Sequence, residues 1–390
     1  MFFQNRICAN PGSFKRFFQK KAEKKLSCDF MALANLGIQG LSPYQAGKPI
    51  EELERELGIR DIVKLASNEN PLGPSPAVIA ACEKAARDST RYPDANGFEL
   101  KRALADKFSL QTEQLTLGCG SNDVLDLIAR VFLGPNTSSV FSQYGFVVYP
   151  IATQAAGARA IVTPAKNWGH DLDAMAAAIA ADTRVVFIAN PNNPTGTSLN
   201  KAELLSFLRR VPQQVVVVLD EAYTEYVDSP DFPNGLTLLN EFPNLIVTRT
   251  FSKAYGLAGL RVGYAASSPQ IADLLNRVRA PFNVNSLGLA AAVAALADDD
   301  YLARSRELNL QGMAQIVEGV TALDLEVIPS VGNFVTVAMP GEAMPIYQRL
   351  LREGVIVRPL VPYGMPNHLR VSIGLPEENA KFLVALLKVL

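Results

Sequence analysis

The sequence predicts an α/β protein: a large domain with a mostly parallel sheet flanked by helices, followed by a smaller α+β C-terminal domain. Three observations lead there. From residue 115 onward, short apolar runs alternate with amphipathic stretches. The runs are rich in β-branched residues and lack apolar–polar alternation, as in strands covered on both faces of a parallel sheet. After about residue 270 the pattern changes to a long helical region followed by short strands.

Taken in order, the strands are expected at 114–118, 138–142, 158–163, 184–190, 215–220, 245–250 and 261–266. Helices are expected at 121–132, 171–181 and 201–210. The stretch at 171–181 opens with acidic residues and continues alanine-rich, as a helix start should. Beyond the helical region, which runs to about 325, strands are expected at 333–338, 355–358 and 369–373, with helices at 342–353 and 377–390. Residues 31–75, with Pro43, Pro49, Pro71 and Pro74, read as an arm. The expected division is therefore an extension at 1–30, an arm at 31–75, a large domain at 76–275 and a small domain at 276–390.

Composition narrows the function. The 390 residues carry a net charge of −1, which gives no global field to gather nucleic acid. That neutrality is uneven. The first thirty residues hold seven Lys and Arg against two acids, and the remaining 360 hold thirty against thirty-six. The basic stretch reads as a disordered tail, a start upstream of Met31, or a targeting segment, and the three stay open. Four scattered cysteines make no disulfide framework and point to a reducing compartment. Two histidines are too few for a multi-histidine metal site, and no metal is expected. No apolar run approaches the roughly 20 residues that cross a bilayer. A cytoplasmic protein is expected.

Ligands of open α/β sheets bind beyond the carboxyl ends of the strands, and five segments lie there. In 118–123, a Gly-Ser turn before a helix presents the N–H groups of Ser121 and Asn122, either as a phosphate cradle or as an ordinary capped turn. In 191–196, Asn192 and Asn193 sit in an irregular Pro-Gly loop that a surface turn would also explain. Asp220 ends a buried apolar strand and calls for a cationic partner, or caps the next element. Lys253 follows another strand and Arg261 comes eight residues later, with small residues between; alone, a solvated lysine is the ordinary reading. Tyr92 lies in an extended Tyr-Pro context at 91–94. A phosphorylated, positively charged, lysine-reactive ligand accounts for the whole set, and pyridoxal 5'-phosphate (PLP) has those properties.

The order GSND, NNPTG, DEAY and SKAYGLAGLRVGY resembles the fold-type I PLP-dependent aminotransferases, over nearly the whole chain from about residue 40. LSPYQ (41–45), LASNENPLGP (65–74), RYPD (91–94), GVIVRP and HLRVSIG are similar to the branch that acts on histidinol phosphate. The resemblance implies that Lys253 carries PLP as an internal aldimine and shuttles the proton, which requires a pKa below the usual 10.4 or so. It implies that Asp220 pairs with the ring nitrogen, and that Tyr223 and Asn193 bond the ring hydroxyl. Ser121, Asn122, Ser252 and Arg261 would take the phosphate, with Tyr92 reaching it from the neighbouring subunit of a homodimer. Phe146 would stack on the ring, although Gln143-Tyr144-Gly145-Phe146 departs from the family's Pro-Thr-aromatic and makes Tyr144 a rival. Arg370, Arg358 and Tyr44 would grip substrate anions. The implied reaction is ping-pong transamination between glutamate/2-oxoglutarate and histidinol phosphate/imidazole-acetol phosphate in histidine biosynthesis. Transamination of aromatic amino acids, or decarboxylation of a phosphorylated amino acid, is the alternative.

Overall fold

The computed structural model describes residues 29–43 and 47–390. Its centre is a seven-stranded sheet of β1 (Leu115–Gly118), β2 (Ser138–Ser142), β3 (Arg159–Thr163), β4 (Thr183–Ala189), β5 (Val216–Asp220), β6 (Leu245–Thr250) and β7 (Gly263–Ala266). The spatial order is β1-β7-β6-β5-β4-β2-β3. β7 runs antiparallel to both its neighbours, and the other pairings are parallel. Central strands read as near-continuous apolar runs because both faces are covered: Val217, Leu219 and Val247 pack into one core, and Val216, Val218 and Ile246 into the other. β3 departs from that expectation. It is the edge strand, so Arg159, Ala160 and Val162 are exposed.

Helices cover the two faces: α1 (Pro76–Ala86), α2 (Phe98–Phe108), α3 (Ser121–Phe132), α4 (Val148–Ala155), α5 (Leu172–Ala177), α6 (Lys201–Leu208) and α7 (Pro269–Val278). Their starts follow local chemistry. Ser75 caps α1 ahead of Pro76, Asp171 accepts from the N–H groups of Asp173 and Ala174, and Asn200 with Glu203 forms a capping box on α6. α5 ends at Ala177, four residues short of the expected stretch.

The helical region expected after 270 is three helices: α7, α8 (Ser286–Leu296) and α9 (Asp299–Thr321). α8 lies on α1 and α2, and its Ala291, Ala292, Ala295 and Leu296 join the core of the large sheet. The pattern of the sequence alone places this segment, beyond 275, with the C-terminal part. A second core lies around a four-stranded sheet of β8 (Val327–Ile328), β9 (Phe334–Ala338), β10 (Arg358–Pro359) and β11 (His368–Ser372), in the order β8-β9-β11-β10. α9, α10 (Ala343–Arg352) and α11 (Pro376–Val389) pack on it. The strand expected at 355–358 divides: 358–359 joins this sheet, and Val355–Ile356 pairs in parallel with Val63–Lys64 of the arm. That pairing places Leu65–Asn68 between the two sheets. Arg370 donates to the carbonyl of Ala66, and Ser372 donates to Asn68. No described helix is long and apolar enough to cross a membrane.

Candidate active site

A cleft lies beyond the carboxyl ends of β1 and β4–β6. Lys253, Asp220, Tyr223, Asn193, Ser121, Asn122, Phe146, Ser252, Arg261, Arg370 and Arg358 all line it. Strand register explains part of the convergence. Asp220 is the last residue of β5, level with Ala189 on β4 and Thr248 on β6. Gly263 opens β7 level with Gly118 and Thr250.

Asp220 is buried, and both of its oxygens accept hydrogen bonds: Oδ2 from the hydroxyl of Tyr149 at 2.9 Å, Oδ1 from Thr248 Oγ1 at 2.9 Å. Burial lifts its pKa to about 6 against those two donors, so the carboxylate is mostly ionised at neutral pH, and a buried negative charge favours a cationic partner. Lys253 donates from Nζ to the carbonyl of Ser67 at 2.8 Å, and its Nζ lies 5.8 Å from the centre of the Tyr223 ring. Burial, followed by the positive charge of Arg370 and that of Arg261, lowers the amine to about 7 although Glu69 opposes. The amine is thereby nucleophilic at neutral pH. Tyr223 accepts from Asn68 Nδ2 at 3.0 Å, and burial pushes its hydroxyl up to about 12, so it remains a donor.

At the other end, α3 begins at Ser121 behind Gly120, whose φ of +83° is open to glycine. A Cβ on Gly263 would stand 2.4 Å from Ser121 N, and one on Gly120 would stand 2.3 Å from Arg261 Nη2. The helix start is therefore pressed against β7 with no room for side chains. Arg261, held at φ +58°, donates to Ser252 Oγ at 3.2 Å and to the carbonyls of Ala258 and Cys119. Backbone N–H groups, a hydroxyl and a guanidinium meet there, as a phosphate dianion requires.

A second cationic group sits on the four-stranded sheet. Arg358 and Arg370 face each other in register on β10 and β11. Arg370 is buried, donates to Asn193 Oδ1 and to the Ala66 carbonyl, and lies 5.3 Å over the Phe334 ring. Its Nε is buried without a partner among the described residues, which leaves donor capacity for an anion.

Two of the expected residues stand apart. Tyr92 is 83% exposed, stacked on Phe282 at 4.6 Å, and outside the cleft of its own chain. Tyr44 lies outside the described residues. Phe146, not Tyr144, lines the cleft; Tyr144 turns away onto Trp168 and toward Leu360 and Tyr363. Sequence reasoning missed Asn68, Tyr149, Thr248 and Tyr363. Asn68 lies inside the motif LASNENP, but its φ of +53° and its burial to 1% exposure are seen only in the structure.

The family described as aminotransferase class I and II matches residues 60–387. A protein of Pseudomonas fluorescens named histidinol-phosphate aminotransferase 2 is 61% identical over 367 residues, covering 94% of this chain and 99% of that protein. One of the same name from Pseudomonas aeruginosa is 62% identical over 364 residues, covering 93% and 99%. Among solved structures, histidinol-phosphate aminotransferase from Sinorhizobium meliloti in complex with pyridoxal-5'-phosphate superposes with a TM-score of 0.84 at 32% identity, covering 90% of this chain and 96% of that one. The chain thus belongs to the class I and II aminotransferases, among relatives named histidinol-phosphate aminotransferases.

Proposed function

We propose that this protein is a PLP-dependent aminotransferase that exchanges the amino group between glutamate/2-oxoglutarate and histidinol phosphate/imidazole-acetol phosphate, in histidine biosynthesis. The observation that carries the reading is one cleft holding a lysine of lowered pKa, a buried aspartate and a phosphate cradle, with an arginine pair across from them. When bound, PLP supplies an aldehyde and an electron-withdrawing ring that stabilises negative charge at the substrate carbon. Asp220 would hold the proton on the ring nitrogen. Tyr223 and Asn193 would donate to the ring hydroxyl, and Phe146 would cover the ring. Ser121, Asn122, Ser252 and Arg261 would bind the phosphate. Lys253 would hold the cofactor by its aldehyde and, as a free amine, would take up and return the proton at the substrate carbon. An amine near 7 suits both directions of that transfer.

Arg370 and Arg358 take the substrate's anionic end, with Tyr44 as a third contact. For glutamate they meet carboxylate, and for histidinol phosphate they meet phosphate; a planar guanidinium fork accepts either. Tyr92, exposed in its own chain, completes the phosphate site of a partner subunit in a cytoplasmic homodimer. The exposed Tyr92–Phe282 stack, with Phe98 54% exposed, supports such a surface.

The deciding experiment follows the amino-transfer half-reaction by cofactor absorbance, with histidinol phosphate, phenylalanine, tyrosine and threonine phosphate as donors. Histidinol phosphate is expected to convert the cofactor fastest. Release of carbon dioxide without keto product would overturn the reading in favour of a decarboxylase. Lys253→Ala is expected to lose both turnover and the borohydride-trapped adduct.

A further inference from the structure

Tyr149 lies in the first turn of α4, is fully buried, and does not line the cleft. Its ring stacks on Phe187 at 4.8 Å with the planes 9° apart, and meets the edge of Phe146 at 5.9 Å and 86°. Its hydroxyl donates to Asp220 Oδ2 at 2.9 Å. Thr248, fully buried on the neighbouring strand, holds Asp220 Oδ1 in the same way. A carboxylate on a single-bonded stem can rotate. Two donors on different oxygens, each on a rigid element, hold its orientation, and the carboxylate, which lines the cleft, keeps further acceptor capacity.

We propose that Tyr149, aided by Thr248, is a positioning residue for the cofactor: it aims the Asp220 carboxylate at the ring nitrogen and, through the same ring, braces Phe146 against the ring face. The inference rests on the reading of Asp220 given above. Burial holds the Tyr149 hydroxyl well above its usual pKa, so it donates throughout the working range. A donor on the back of the carboxylate favours its ionised form, which burial alone opposes. Removing the donor while keeping the ring therefore weakens the bond to the ring nitrogen and leaves the phosphate cradle as it was.

The test measures binding of two ligands to the full-length apoprotein by equilibrium dialysis: PLP, and its 1-deaza analogue, in which C–H replaces the ring nitrogen. The wild type prefers PLP. In Tyr149→Phe the preference falls about tenfold or more, the scale of a hydrogen bond to a charged group. Thr248→Val, which keeps the buried volume, shifts it in the same direction and serves where Tyr149→Phe does not fold. If both ligands weaken equally in the variants, Tyr149 only packs, and the proposal is overturned while the cofactor assignment stands. If the wild type itself shows no preference, the role of Asp220 fails and the proposal with it. On an Asp220→Asn background, Tyr149→Phe leaves the ratio unchanged, and a further change would refute the coupling.

Discussion

Replacing Arg370 by glutamine tests whether the reactive amine is set by its surroundings. At pH 7 an ordinary lysine with a pKa near 10.5 is neutral in roughly one molecule in 3000, whereas a group titrating at about 7 is neutral in about half. The cleft thus raises the reactive fraction of Lys253 by a factor on the order of 1000. Burial is the larger cause and the Arg370 charge the next, so Arg370→Gln moves the titration upward without returning it to that of a free lysine. The assay is reductive methylation of the apoprotein with formaldehyde across a pH series, read for each peptide by mass spectrometry. Labelling of Lys253 should rise with a midpoint near pH 7. In Arg370→Gln that midpoint should climb. The reasoning is refuted if Lys253 in the wild type is labelled only near the roughly 10.4 of a free lysine, or if removing the arginine leaves its midpoint in place.

Behind the site, Glu221 accepts from Arg249 Nε at 2.9 Å and Nη2 at 2.6 Å with both side chains buried. Glu221→Gln should lower the unfolding free energy by about 3 kcal/mol, the lower end for a broken buried pair, because Asn234 and Glu225 still face the guanidinium; a urea-unfolding difference near zero would contradict this. Gly263→Ala forces a methyl against the N–H of Ser121 where backbone cannot yield, an overpacking of about 1–3 kcal/mol. It should weaken PLP at least several-fold more than phosphate-free pyridoxal, and equal losses for the two would argue against a phosphate cradle there.

The parts of the site legible in the sequence are those that break a local rule. An aspartate closing a valine run, a lysine just past a second strand and glycines crowding a helix start are each unusual where they stand, and together they point to one ligand. The residues that stayed hidden break no rule in their own neighbourhood. Tyr149 is one more aromatic on a helix that covers the sheet, and only the register of β5 against that helix shows what its hydroxyl meets. Thr248 belongs in a strand on any reading. Asn68 depends on Ser372, 304 residues away. The same limit explains β3. Its composition suits a covered strand, but strand order decides which strand lies at the edge. The helical run after 270 was legible as helix, while the side on which α8 packs was not, because its alanines suit either core.

The direction of β7 decides how the cations of the cleft are strung along the chain. β6 reaches the ligand end at Thr250, and β7 starts back from that end at Gly263. The twelve residues between them never leave it. Had β7 run parallel, the chain would have crossed to the far end before entering it. Lys253 would have kept its place, and Arg261 would have emerged at the opposite edge. The reversal makes the amine and the guanidinium a single short cassette, whose geometry is written in its own turns at Gly256 and Arg261. Exchanging residues 251–262 as a block would carry both together into a related scaffold.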